Sequence, residues 1–208
     1  MVWAWTIAVA GAADLRVGPG RAFTEPQDAV DAAEPGDRIL VDAGSYGPLT
    51  VGVDVEIVGL GPAVITATEG QAVDVGANVV LRGLVLDGSG AARALRGGVG
   101  AEVLVEDAVL RNGASAGWGG GARIDEATAT FRRTTVSDCV AEAGGGIYAI
   151  FSTLTLDAVT VTRSTATSGF GGGIGLEDAT LVARGSRFDG NLADDPVASG
   201  AQFVFHFH

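Results

Sequence analysis

Two stretches of this chain combine groups that can move protons or neutralise charge. Arg123, Asp125 and Glu126 lie almost side by side, and Glu177 and Asp178 form a second acidic pair further on. Paired carboxylates can serve as general acid and base, and a neighbouring arginine can neutralise an anionic substrate group. Between the two stretches, Tyr148, Phe151 and Ser152 bring no carboxylate, so a contiguous acid–base cluster is not expected. Trp118, Tyr148 and Phe170 can present an aromatic face to a sugar or a protein partner. Packing at a corner is the weightier reading, because aromatic rings bury large areas. Trp118, Asp125, Glu126, Tyr148 and Glu177 form the candidate ligand surface, and no residue is assigned a catalytic role.

Other reactive groups point to little chemistry. Cys139 is the single cysteine, so no internal disulfide is available, and with no histidine near it a buried thiol is expected. His206 and His208 sit at the extreme C-terminus and read as a chain end before they read as a metal pair. Asp194-Asp195 precedes Pro196 and reads as a solvated turn. Gly172 to Glu177 nearly matches a calcium-binding nonapeptide but carries Glu in place of Asp. No cofactor is therefore assigned, and Ca2+ is the one ion the pattern admits. The threonines between Thr153 and Thr167 belong to one stretch, and ordinary strand propensity accounts for them.

Composition narrows the class further. Of 208 residues 33 are glycine, hydrophobic residues make up 47 % and charged residues 18 %. The chain can bury a core and is neither a disordered polyelectrolyte nor a collagen, which would need glycine at every third position. The 13 basic residues are all arginine, against 25 acidic ones, giving a net charge of −12. That balance argues against nucleic acid as a partner, because phosphate backbones select basic surfaces. Met1 to Ala13 is apolar and contains Ala8-Val9-Ala10 and Ala10-Gly11-Ala12, both of the A-x-A form of a signal-peptide cleavage site, although no basic residue precedes Arg16. Residues 1–13 are accordingly a signal-like segment and 14–208 a single domain. No stretch is long enough for a transmembrane helix.

What must position these groups is a repeat. Gly119-Gly120-Gly121, Gly144-Gly145-Gly146 and Gly171-Gly172-Gly173 begin 25 and 27 residues apart. Anchored on Phe188, the spacing aligns Val161, Val136, Val109 and Val85, with an apolar column of Val80, Leu104, Phe131, Leu156 and Ala183 five residues earlier. Charges alternate in the same frame: Asp87, Arg111, Asp138, Arg163 in one column and Arg82, Glu106, Arg133 in another. Short strands repeating about every 25 residues signal a solenoid, in which coils stack at about 4.8 Å. Opposite charges on successive rungs then read first as ladders between coils. The column Gly88, Asn112, Cys139, Ser164, Asn191 is expected to be an internal corner, with glycines relieving the tight turns. Ahead of the repeat, Thr24 and Gln27 have the form of a capping box and Pro26 stands in a first turn, so a short helix ending at Pro35-Gly36 is expected. Gly44 to Pro48 reads as a turn between short strands.

The Gly144–Ile147 and Gly171–Ile174 runs, with Phe188-Asp189-Gly190-Asn191, resemble the GGA[ILV] and FxxN repeats of polymorphic outer-membrane proteins and related bacterial surface β-helices. The segment from Phe23 to Gly59 resembles the opening of pectate-lyase-like proteins, with Gln27 to Ala33, Pro35-Gly36-Asp37, Gly44-Ser45-Tyr46 and Val55 to Gly59 carrying the likeness. Together these resemblances imply an all-β, right-handed, single-stranded parallel β-helix of about six to seven coils with a short N-terminal capping helix. The superfold hosts lyases, hydrolases, esterases and epimerases, so function must come from the site. Gly47-Pro48 follows Tyr46 where pectin methylesterases continue differently, and the epimerase histidine signature is missing. The leading expectation is thus a secreted or cell-surface structural or adhesive module of bacterial outer-surface type. Its partners would be a cell-surface protein or a polysaccharide. The alternative is a carbohydrate-binding or polysaccharide-processing protein of the pectate-lyase-like class. The apolar strand at 201–205 begins a coil that the sequence does not complete, which predicts a truncated chain or self-association through the C-terminal coil.

Overall fold

The structure, a computed structural model, describes residues 12–194. Nearly all of the signal-like segment, the strand at 201–205, Asp195 and both histidines lie outside the described residues. The described chain winds as a parallel β-solenoid of about seven turns behind one short helix. Each full coil contributes a strand to a six-stranded parallel sheet, then bends into two limbs of a long sheet. From the middle of the molecule onward it also adds to a three-stranded sheet. In early coils one strand runs round the corner between the limbs, as in Val55–Thr66 and Asn78–Asp87. Later coils break it there, as in Thr128–Arg132 followed by Thr135–Ser137.

Apolar side chains stack down the interior in register. Ile39, Ile57, Leu81, Val105, Phe131 and Leu156 are hydrogen-bonded neighbours on successive coils and all fully buried. A second column runs through Ile65, Leu86, Leu110, Val136 and Val161, again fully buried. Both columns correct the spacing-based alignment by one residue in the upstream coils. Leu110 and Leu86 replace Val109 and Val85, and Val105 and Leu81 replace Leu104 and Val80. Two adjacent apolar residues fit either frame by spacing, and a one-residue shift turns every side chain to the opposite face. The core takes Leu110 and Leu86 and leaves their valine neighbours only partly covered.

The charge ladders form, with a corrected path. One runs continuously across coils: Asp14 to Arg38 (3.3 Å), Arg38 to Glu56 (3.1 Å), Glu56 to Arg82 (3.5 Å), Arg82 to Glu106 (3.0 Å) and Glu106 to Arg133 (2.6 Å). The other divides into two pairs, Asp87 with Arg111 and Asp138 with Arg163, each at 2.7 Å. Arg111 and Asp138 are not on one rung, because Arg111 faces Ser137. Asn112 likewise leaves the internal corner, whereas Gly88 stays buried there. Asn112 adopts φ 51° and its Nδ2 donates to Asp87 at 3.2 Å. Cys139, Ser164 and Asn191 do occupy that corner. The Cys139 thiol donates to the Ser137 carbonyl, and Asn191 donates to Val161 O and accepts from Ser164 N.

Corners are the second correction. Ten non-glycine residues among those described have positive φ, including Asp107, Arg133 and Ala158 at one corner and Glu126, Phe151 and Asp178 at another. The helix spans Pro26–Ala32 with Pro26 in its first turn, yet Glu25 is the N-cap and makes no side-chain capping bond. Gln27 instead bonds across to the first strand of the six-stranded sheet, accepting from Thr50 N at 2.7 Å and donating to Asp31. This displaces the capping box expected between Thr24 and Gln27. Gly44–Tyr46, expected in a turn, is a strand paired with Ala63–Ile65.

Candidate functional site

The outer face of the six-stranded sheet gathers most of the polar chemistry. Register places Thr50, Asp74, Arg96, Arg123, Tyr148 and Gly175 in one column, at alternate positions to the inward Val51, Val75, Ile124 and Leu176. Asp125 and Glu177 stand two residues further along the same face.

These side chains form a connected track. Gln71 donates to Asp74 (2.8 Å), Arg96 bridges Asp74 (3.2 Å) and Asp125 (3.4 Å), and Arg123 donates to the other oxygen of Asp125 (2.7 Å). The Arg123 guanidinium also lies 5.1 Å from the centre of the Trp118 ring, within cation–π range. Trp118 stacks on Tyr148, with ring centroids 5.5 Å apart, and Tyr148 meets Phe170 at 6.2 Å. The Tyr148 hydroxyl donates to Glu177 on the next coil. Burial, the bond to Glu177 and that carboxylate's charge hold the Tyr148 phenol well above its ordinary range, so the hydroxyl keeps its proton and holds it in the bond to Glu177.

Local sequence explains how the track is built. Gly175 lies beneath Tyr148. A Cβ there would come 2.9 Å from the ring, so a residue without a side chain lets the tyrosine lean towards Glu177. Trp118 sits on the loop that enters this sheet, and Arg93 holds that loop from the preceding coil. Its Nε donates to Gly119 O (2.7 Å), and its Nη2 to Ser115 Oγ and Trp118 O (2.9 Å each). Burial, reinforced by the nearby Arg123, pushes the Arg93 guanidinium down to about 10, and the oxygens it bonds among the described residues are neutral. The thiol of Cys139 lies elsewhere in the core, where burial pushes it up to about 11 and disfavours the nucleophilic thiolate.

Four of the five residues of the candidate ligand surface meet here: Trp118, Asp125, Tyr148 and Glu177. Glu126 does not. One residue after Asp125 the chain turns at φ 48°, which carries Glu126 round the corner into solvent. Asp74, Arg93 and Arg96 from the two preceding coils, which the spacing did not single out, join the track, and its carboxylates Asp74 and Asp125 are paired with arginines. Those coils have no Gly triplet to flag their strand entry, yet stepping back one period from Arg123 reaches Arg96. Among the described residues no group of three or more metal-ligating side chains comes together, and no helix is long and apolar enough to cross a membrane.

No family model matches the chain, and no curated protein matches it. Solved structures do. A pectin methylesterase from Aspergillus niger superposes in its deglycosylated form with TM-score 0.51 at 15 % identity, over 93 % of this chain and 89 % of that one. Its penultimately deglycosylated form gives TM-score 0.51 at 13 % identity over 94 % and 89 %. A PL6 family alginate lyase, AlyGC, gives TM-score 0.50 at 14 % identity over 95 % of this chain and only 40 % of that one. At such identities the likeness establishes the architecture, and the chain has the parallel β-helix fold of these proteins.

Proposed function

We propose that this protein binds a carboxylated polysaccharide along the outer face of its six-stranded sheet. The observation that carries the reading is the convergence of Arg93, Arg96 and Arg123 beside the Trp118–Tyr148 stack. On a chain of net charge −12, this face matches its three arginines with three carboxylates and is locally neutral. Guanidinium N–H groups can take uronate carboxylates in charge-assisted bonds, and Trp118, 39 % exposed, offers a ring to a sugar. The solved neighbours, a pectin methylesterase and an alginate lyase, support a polysaccharide at the level of fold. Such a protein acts outside the cell or at its surface.

Titration calorimetry with polygalacturonate, alginate and dextran tests this. Saturable binding of the uronates that weakens about tenfold or more in Arg96→Ala and in Trp118→Ala is expected. Equal affinity of both variants and the parent chain, or no uronate binding, contradicts it. A structural or adhesive role is the second reading, favoured by the unbroken ladder from Asp14 to Arg133, which gives many charged side chains a stacking task.

A further inference from the structure

Most arginines of this chain stand within ion-pair distance of a carboxylate. Among the described residues Arg16, Arg93, Arg132 and Arg184 do not. Arg16, Arg132 and Arg184 are exposed, so water solvates their charge, whereas Arg93 alone of the four is partly buried. Its Nε and Nη2 are committed to the neutral oxygens of Ser115, Trp118 and Gly119. Its Nη1 bonds none of the described residues and is open to solvent.

The surroundings do not supply the missing counter-ion. Arg123 and Arg96 repel this cation, and Asp125 and Asp74 attract it only from beyond ion-pair distance. Both carboxylates are already bonded to Arg96 or Arg123, and Glu177, the third carboxylate of the face, accepts from Tyr148. With its pKa held down to about 10, Arg93 is still a cation at neutral pH. Buried charges are ordinarily paired, so a partly buried cation without a partner carries a desolvation cost that an arriving anion offsets.

We propose that Arg93 is the charge-selecting residue of the sheet face, its open Nη1 edge taking one carboxylate of a polymer whose sugar lies beside Trp118. This rests on the reading of that face as a uronate surface and assigns its specificity. At Arg96 and Arg123 an arriving carboxylate shares the guanidinium with Asp74 or Asp125, so those two add affinity with less preference for charge. At Arg93 it meets an unshared donor. The face therefore distinguishes an ionised uronate from its methyl ester, which has the same sugar and no charge.

Titration calorimetry on the full chain compares oligogalacturonate, its fully methyl-esterified form and inorganic phosphate, in the parent, Arg93→Gln and Arg93→Lys. The parent is expected to bind the ionised oligomer about tenfold or more tightly than the ester, Arg93→Gln to bind both alike, and Arg93→Lys to keep a preference at lower affinity. A residue that only held the entry loop would weaken both ligands equally and leave their ratio unchanged. An unchanged ratio in Arg93→Gln, or equal binding of both oligomers by the parent, overturns the proposal and leaves the uronate surface standing. Loss of the preference in Arg93→Lys overturns it too, which keeps the test decisive if Arg93→Gln does not fold. Tighter binding of phosphate than of oligogalacturonate also overturns it, identifying a site for a free anion. No binding of either oligomer removes the reading of the sheet face and this proposal together.

Discussion

Arg93 shows what single residues contribute. Its guanidinium is the link between one coil and the loop that presents Trp118 to Tyr148 and Arg123. Arg93→Ala removes three bonds to loop oxygens, and the net contribution of a hydrogen bond from a charged donor is about 1.5–3 kcal/mol at most. The expected outcome is a loosened Trp118, read as a red shift and faster quenching of tryptophan emission, with uronate affinity falling alongside. Arg93→Lys is expected to restore little, since a point charge cannot reproduce a fork that reaches Ser115, Trp118 and Gly119 together. Parental emission and affinity in Arg93→Ala would show that the loop stands without it. Much at this scale was readable beforehand: Trp118, Tyr148 and Phe170 do meet, and Asp125 and Glu177 do share a face. Arg93 and Arg96 escaped because alanines, not a Gly triplet, lead into their strand. The separation of Asp125 from Glu126 depended on a backbone angle that neither residue type announces.

At the scale of elements, corners and ladders hold the coils in register. The period and the apolar alternation were legible in the spacing of the Gly runs and of Val136, Val161 and Phe188. The frame of the earlier coils was not, since Val85-Leu86 and Val109-Leu110 are apolar at both positions. Nor did the glycine count reveal that Asp107, Arg133 and Asp138 turn corners themselves, where short polar side chains and ladder contacts compensate the strain. The ladder carboxylates carry a pH dependence. Hydrogen bonds from Arg133 hold Asp107 below the usual carboxylate range, and hydrogen bonds from Arg163 do the same for Asp138. A carboxylate with a lowered folded pKa stabilises the fold above its unfolded value of about 3.9, and that contribution is lost as pH falls through the lower folded value. Melting temperature is therefore expected to decline below about pH 4, and the decline to be shallower in an Arg133→Ala, Arg163→Ala double variant, whose curve meets the parent's at the acid end. Parallel curves for the two proteins would contradict this origin.

For the whole molecule, the coil stack sets a ruler. Asp74 and Glu177 stand four strand spacings apart on one sheet, so the track extends about 19 Å along the solenoid axis. A polymer lying on it touches several coils at once, whereas the ladders and inward columns are already satisfied by the protein itself. Hydrogen exchange with and without polygalacturonate tests that placement most directly. Expected is slowed exchange in the six-stranded sheet and its entry loop, from Arg93 to Gly97, from Trp118 to Asp125 and from Tyr148 to Ile150, with the long sheet unchanged. Protection confined to the long sheet, or none at a polymer concentration that saturates binding, would contradict the assignment of this face as the polysaccharide surface.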